Sequence, residues 1–262
     1  MGHWKDNIYF ILVEPKESGN IGAAARALKN TGFKNLCLVK PPSRITDEAR
    51  WLACNALDVL ESAQIFNDLK DAINDKSIVV GTTRRTGKRR GLIVPVEAET
   101  GKIFEAAAHN NKIAILFGRE SRGLFNKEVD ECGFLLTIPG SKDQPSFNLA
   151  QAVLIVAYEL SKTEHRTPDR GTESIRLTKH GDISSLYARI ADTLKLLDYI
   201  PRGNRNLETR IMRNLKHFIG RAGLTDWELK MLHGICSQIG KKIKDGEGEN
   251  FVPIEVLRKM MK

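Results

Sequence analysis

Residues 8–30 read IYFILVEPKESGNIGAAARALKN, and their order decides the fold class. Ile8–Val13 is an uncharged run rich in β-branched and aromatic residues, of strand length, which Glu14 and Pro15 end. Ile21–Asn30 then reads as a helix, with Asn20 as its N-cap and Gly32 just past its end. A strand without polar alternation belongs in a sheet buried on both faces, which is the habit of parallel sheets.

The same pattern recurs outward from this unit. Strands are predicted at Leu36–Val39, closed by Pro41 and Pro42, and at Ser77–Thr83, Lys112–Gly118 and Phe134–Pro139. Helices are predicted around Asp47–Ala53, Ile65–Ile73, Thr100–Ala108 and Asn148–Leu160. This alternation predicts an α/β domain with a mainly parallel sheet flanked by helices. Ligands of such sheets bind beyond the carboxyl ends of the strands. Gly19-Asn20, Gly81-Thr82-Thr83, Gly118 and Pro139-Gly140 all fall there. The helix Asn148–Leu160 is apolar almost all round, which suits either a core helix or a subunit interface.

Composition changes after residue 160. Ser161–His180 is polar, holds Pro168 and Gly171, and lacks an apolar period, so it reads as a linker. Beyond it Ile183, Leu186, Ile190, Leu194 and Leu197 share one helical face, and Leu207, Ile211, Leu215, Phe218 and Ile219 form a second stripe. Thr225 and Glu228 make a capping box for a third helix. The reading is therefore an α/β domain over residues 1–162, a linker over 163–180 and a small all-α extension over 181–262. An extension of that size is marginal for a core of its own, so it is expected to pack on the first domain or on a partner subunit.

The chain carries 41 Lys and Arg against 32 Asp and Glu, a net charge of +9. The excess is concentrated in RRTGKRR (Arg84–Arg90) and in a cluster of Arg202, Arg205, Arg210, Arg213, Lys216 and Arg221. Two such runs favour a polyanionic partner such as nucleic acid over two solvated faces. The four cysteines, Cys37, Cys54, Cys132 and Cys236, are far apart and read as reduced core thiols. The six histidines show no HxxxH spacing, so no metal is expected. There is no apolar run of membrane-spanning length and no secretory signal pattern at the N-terminus, so a cytoplasmic protein without a membrane partner is expected.

Asn20-Ile21-Gly22 with Arg26 marks a strand-to-helix turn whose backbone N–H groups favour anions, although such a turn also serves as a plain cap. Three further segments accompany it: VVGTTRR (Val79–Arg85), LFGRESRGL (Leu116–Leu124) and TIPGSKDQPSFNLAQAV (Thr137–Val153). Together they resemble the SPOUT methyltransferases, in the TrmH-like (SpoU) 2′-O-ribose branch. The family pattern N-x-G-x-x-x-R, G-x-E-x-x-G-L, I-P and S-L-N is matched by Asn20/Gly22/Arg26, Gly118/Glu120/Gly123/Leu124, Ile138/Pro139 and Ser146-Phe147-Asn148. Phe147 stands where leucine is usual. The match covers roughly residues 6–160, and the helical extension resembles that of the TrmJ subgroup of tRNA methyltransferases.

The resemblance implies an α/β knot of the SPOUT type, a homodimer with its active site near the subunit interface, and S-adenosylmethionine as cofactor. It assigns the cofactor pocket to Thr82, Thr83 and Arg84, to Gly118, and to Ile138, Ser146, Phe147, Asn148 and Leu149. Arg26 is implied as the key catalytic residue. A guanidinium stays protonated at working pH, so it suits phosphate anchoring and oxyanion stabilisation rather than proton abstraction. Asn20 would orient backbone or substrate, and Glu120 is expected in an ion pair with Arg119, Arg122 or a partner subunit. Arg85, Lys88, Arg89 and Arg90 would guide RNA toward the site, and Arg205, Arg210 and Arg213 would hold a remote part of it. The implied substrate is tRNA, at anticodon-loop nucleotide 32. An rRNA ribose methyltransferase and a non-catalytic RNA-binding protein are the alternatives.

Overall fold

The computed structural model describes residues 4–87, 90–165, 175–200 and 205–244. In chain order the elements are β1 (Ile8–Val13), α1 (Ser18–Asn30), β2 (Asn35–Val39), α2 (Asp47–Ala53), α3 (Leu57–Glu61), β3 (Gln64–Phe66), α4 (Leu69–Ile73) and β4 (Ile78–Thr82). There follow β5 (Ile93–Pro95), α5 (Val96–Ala108), β6 (Ile113–Phe117), α6 (Asn126–Val129), β7 (Phe134–Thr137) and α7 (Leu149–Ser161). The extension consists of α8 (His180–Leu196), α9 (Arg205–Ala222) and α10 (Asp226–Lys244). The strands form one sheet in the order β3-β2-β1-β6-β4-β7-β5. Every pairing is parallel.

The continuous apolarity of β1 follows from this sheet. Ile8, Phe10 and Leu12 enter a large core with α1, α5 and α7. Ile11 and Val13 point the other way, into a second core with Ala72 and Ile73 of α4 and with Val129 of α6. Phe10 meets Phe33 edge-on at 5.1 Å between ring centroids and stacks with Phe117 at 6.1 Å, geometries that aromatic quadrupoles favour. On the first face α1 lies so close to α2 that a Cβ on Gly22 would sit 1.9 Å from the Ala49 carbonyl oxygen. The motif glycine is thus required by helix packing.

Several predicted elements shift. α1 begins at Ser18 with Glu17 as its N-cap, so Asn20 lies inside the first turn instead of capping it. The helix expected over Ile65–Ile73 divides into β3 and α4, because Asp68 caps α4 by accepting from the Lys70 N–H at 2.8 Å. α5 starts at Val96, directly after the edge strand β5, whose Pro95 is tolerable only at a sheet edge. β5 and α3 have no counterpart in the sequence reading. Cys37 and Cys132 are core residues, whereas Cys54 is exposed. Burial pushes the Cys37 thiol up to about 11.

The extension packs on the second face of the sheet. α9 lies across β4 and β7, α8 touches α4, and α10 packs on α8. Arg213 Nε donates to Asp130 at 2.9 Å, and Lys216 Nζ to Glu131 at 2.7 Å. His180 Nε2 lies 3.0 Å from the other Glu131 oxygen. The α9 backbone at Gly220 approaches so near that a Cβ on Gly133 would be 2.1 Å from its carbonyl oxygen. The predicted capping box forms: the Thr225 N–H donates to Glu228 at 2.7 Å and the Glu228 N–H to Thr225 Oγ1 at 3.3 Å. The end of the expected linker is bound rather than free. Asn111 donates to the Ile175 carbonyl at 2.9 Å and accepts from the Leu177 N–H at 2.8 Å. Residues 166–174 of that linker lie outside the described residues. Among the described residues no helix is long and apolar enough to cross a membrane.

Glu131 makes docking of the extension acid-sensitive. Burial alone would raise its carboxyl pKa, but the hydrogen bonds from His180 and Lys216 outweigh it and hold the value at about 2, below 4.5 for a free side chain. A depressed folded-state pKa contributes stability that is complete above about pH 4.5 and is lost as pH falls toward 2. That shift corresponds to on the order of 3 kcal/mol. Melting curves from pH 6 down to pH 3 are expected to show a Glu131→Gln chain that starts less stable than wild type and converges on it in acid. Parallel pH profiles for the two chains would refute this role for Glu131.

Candidate active site

The carboxyl ends of β4, β6 and β7 open into a cleft of about 870 Å³, its mouth included. Thr82 ends β4 with its hydroxyl donating to the Leu116 carbonyl of β6 at 2.9 Å. Thr83 follows, its N–H donating to the Leu136 carbonyl of β7 at 2.9 Å. The Arg85 N–H donates to Thr83 Oγ1 at 3.0 Å, a local turn that leaves Arg84 and Arg85 exposed at the rim. The opposite wall is the loop after β6. It doubles back so tightly that a Cβ on Gly118 would lie 2.1 Å from the Gly123 carbonyl carbon.

That loop is braced from beneath. The Arg119 guanidinium is buried, binds both oxygens of Glu128 at 2.9 Å, reaches Glu14 at 2.9 Å and lies 3.9 Å above the Phe125 ring. Breaking such a buried pair leaves an uncompensated charge, which costs about 3–5 kcal/mol. Phe117, Leu124, Leu136, Ile138, Phe147 and Leu149 supply apolar wall, and Thr82, Thr83, Ser121 and Ser146 supply polar groups. A concave site that combines an apolar wall with hydroxyls, arginines and one carboxylate suits a small polar organic ligand.

All the residues assigned to cofactor binding line this cleft except Asn148. Asn148 instead caps α7, accepting from the Ala150 N–H at 2.8 Å, and donates to Asn20 Oδ1 at 2.9 Å. Asn20 in turn donates to Glu120 and to Glu17, each at 3.1 Å. Glu120 also accepts from the backbone N–H of Lys16 and of Glu17 at 3.1 and 3.2 Å. The expected ion pair of Glu120 with Arg119 or Arg122 does not form within the chain. Its carboxylate occupies the amino end of α1, so the anion favoured by that helix terminus belongs to the protein itself. Burial works to raise the Glu120 pKa, but the hydrogen bonds from Asn20 and the backbone hold it below the usual carboxylate range. Glu120, Asn20 and Asn148 thereby tie three separate motifs into one polar chain. Asn20 is buried and its amide is fully engaged, so it holds the scaffold and does not line the cleft.

Arg26 also stands away from the cleft of its own chain. It is exposed on α1, with its guanidinium donating to Cys54 Sγ at 3.4 Å. Arg85 and Arg90 do line the cleft. Arg90, however, is buried, with its guanidinium donating to the Leu124 carbonyl at 3.3 Å. Arg213 is committed to Asp130, and Arg210 is exposed on α9. Lys88 and Arg89 lie outside the described residues, and Arg205 opens α9. Sequence reading missed Arg122 and Pro145, both of which line the cleft. Each sits inside a quoted motif segment, and nothing in residue type alone set it apart. Among the described residues lining the cleft, Glu120 is the only carboxylate and there is no histidine. Nor does any group of three or more His, Cys, Asp or Glu side chains among the described residues form a metal site.

Comparison with known proteins agrees with this geometry. Residues 7–158 match the model of the SpoU rRNA Methylase family. The chain is 34% identical over 245 residues to an uncharacterized tRNA/rRNA methyltransferase of Haemophilus influenzae, covering 91% of this chain and 96% of that protein. It is 33% identical over 249 residues to the tRNA (cytidine/uridine-2′-O-)-methyltransferase TrmJ of Escherichia coli K12, covering 93% and 99%. Among solved structures, TrmJ from Z. mobilis ZM4 superposes with a TM-score of 0.73 at 28% identity, over 88% of this chain and 98% of that one. With the family model spanning the sheet, the cleft and the motif residues that tie them together, the chain belongs to the SpoU rRNA methylase family.

Proposed function

We propose that the chain methylates a ribose 2′-hydroxyl of tRNA with S-adenosylmethionine as donor, at anticodon-loop nucleotide 32, a cytidine or uridine. The observation that carries this is the convergence on one cleft of the segments after β4, β6 and β7, which line it with both apolar and polar side chains. The residues that would hold the cofactor are Thr82, Thr83, Arg84, Gly118, Ile138, Ser146, Phe147 and Leu149. When bound, S-adenosylmethionine supplies an electrophilic methyl group on a sulfonium. The protein's own work is to align the acceptor hydroxyl and to stabilise the oxygen as its proton leaves. The matching of the extension to tRNA methyltransferases along nearly their whole length favours tRNA over rRNA. The expected setting is the cytoplasm.

Arg26 is proposed to serve the acceptor side, anchoring phosphate and stabilising the developing oxyanion. Its distance from the cleft of its own chain makes this a property of a homodimer, in which Arg26 of one copy faces the cleft of the other. Leu154 and Tyr158, one turn apart on α7, are 42% and 57% exposed, and Trp51 on α2 is 77% exposed. Apolar side chains left uncovered on helices that flank α1 fit a surface buried between copies. The carboxyl edge of the sheet, with β7 inserted between β4 and β5, also suits the knotted return expected of this family.

Incubation with methyl-labelled S-adenosylmethionine and unmodified tRNA, followed by nucleoside mapping, is expected to yield one 2′-O-methylated pyrimidine in the anticodon loop. Label confined to rRNA would establish the alternative substrate. Arg26→Ala is expected to lower kcat by about 10²–10³-fold while cofactor affinity stays within about twofold. Mixing Arg26→Ala with an equally inactive cleft variant, Leu149→Arg, is expected to restore about a quarter of wild-type activity, because half the dimers then carry one intact site. Inactive mixtures would argue that each chain supplies its own arginine. Raising salt from about 50 to about 200 mM is expected to weaken tRNA binding by at least tenfold and to leave cofactor binding nearly unchanged.

A further inference from the structure

The extension reaches the wall of the cleft at one point. Arg213, Lys216, His217 and Gly220 recur at helical spacing and share one face of α9. That face lies on the segment between α6 and β7, where Arg213 meets Asp130 and Lys216 meets Glu131. His217 follows Lys216 on that face, is buried, and hydrogen-bonds the Val129 backbone. Its Nε2 is buried without a hydrogen-bond partner among the described residues. Burial also lowers the imidazole pKa, which keeps the ring neutral.

The same ring lies against Gly91. A Cβ on Gly91 would sit 2.3 Å from His217 Nδ1, and the residue has a φ of +71°, so both space and backbone require glycine. Arg90 precedes it, with its guanidinium on the Leu124 carbonyl, and both Arg90 and Leu124 line the cleft. Imidazole, glycine, guanidinium and cleft wall are therefore contiguous.

We infer that His217 is a positioning residue for the cofactor cleft: by packing on Gly91, 126 positions earlier in sequence, it seats Arg90 on the Leu124 carbonyl, so that a docked extension shapes the site. The assignment rests on reading the cleft as the S-adenosylmethionine site. An apolar ring would keep the packing but lose this polar contact, while the Val129 carbonyl would still accept from the Cys132 N–H at 3.0 Å. A buried histidine that merely filled space would affect stability, whereas one that seats Arg90 affects cofactor affinity.

The test is a set of full-length variants measured by calorimetric titration with S-adenosylmethionine and by steady-state kinetics with tRNA. His217→Phe keeps a ring and removes the N–H. It is expected to raise the cofactor Kd and KM about tenfold, with kcat at saturating cofactor within about threefold. His217→Gln, which retains a donor, is expected to recover most of that loss. Gly91→Ala approaches the contact from the other side and is expected to weaken cofactor binding similarly. Adding His217→Ala to it removes the ring and is expected to restore part of the affinity, a non-additivity that only direct contact produces. Wild-type cofactor affinity in folded His217→Phe would overturn the assignment. So would losses that simply add in the double variant, which also decides the matter if His217→Phe does not fold. Absence of cofactor binding by the wild-type chain would overturn the reading of the cleft itself and is seen separately from these comparisons.

Discussion

A wholly parallel sheet has two apolar faces, and neither can be left to water. One face of this sheet is covered by α1, α5 and α7, each 13 residues long. Among the described residues the other has only α4 and α6 from the same domain, five and four residues long. The helical extension completes that second layer, with α9 across β4 and β7. What composition marks as a separate unit is in packing terms the missing part of the first domain's cover. The unit is small for an independent core, and its charged contacts with Asp130 and Glu131 add direction to a burial that hydrophobicity alone would leave loosely specified.

The same constraint places the chemistry. Crossovers in a parallel sheet return every loop of one kind to the same edge, so the segments after β4, β6 and β7 converge without being near in sequence. Convergence alone does not make a rigid site. Rigidity comes from polar contacts between those loops: Thr82 to the Leu116 carbonyl, Thr83 to the Leu136 carbonyl, and the chain from Glu120 through Asn20 to Asn148. The Glu120 carboxylate does two jobs in one position. It satisfies N–H groups at the start of α1 and fixes the loop that walls the cleft. A residue expected in an ion pair with an arginine is thereby occupied as an anchor for Asn20 and backbone N–H groups.

How much of this was legible in the sequence depends on the kind of signal. Strands buried on both faces announce themselves as apolar runs, so β1, β2, β4, β6 and β7 were all readable to within a residue or two. The edge strand β5 was not, because three residues ending in proline carry no pattern, and an edge strand needs none. Asn20 looked like a cap because asparagine favours that position, but tertiary hydrogen bonds to Glu120 and Asn148 override the local preference. The residues that motif resemblance grouped together line one cleft, Asn148 excepted. Arg26 stands on α1 away from the cleft, with its guanidinium on Cys54 Sγ, a placement that motif resemblance did not convey. Charge was the least reliable guide. Arg90 and Arg213 belong to runs that read as a nucleic-acid track, yet the structure commits both to internal partners.

Those internal commitments change what the positive charge can do. Removing Arg90, Arg213 and Lys216 from the exposed set leaves Arg84, Arg85 and Arg122 at the cleft rim, and Arg210 and Arg221 as exposed cations on α9. The joint where α9 meets the segment between α6 and β7 is held by Arg213 on Asp130 and Lys216 on Glu131. A polyanion held by one group can gain from the other only if the joint keeps them in register, because each phosphate contact must be made without ordering the protein anew. If both groups meet one RNA, the half-buried ion pairs of α9 serve that contact indirectly, by holding a joint whose own cations they engage.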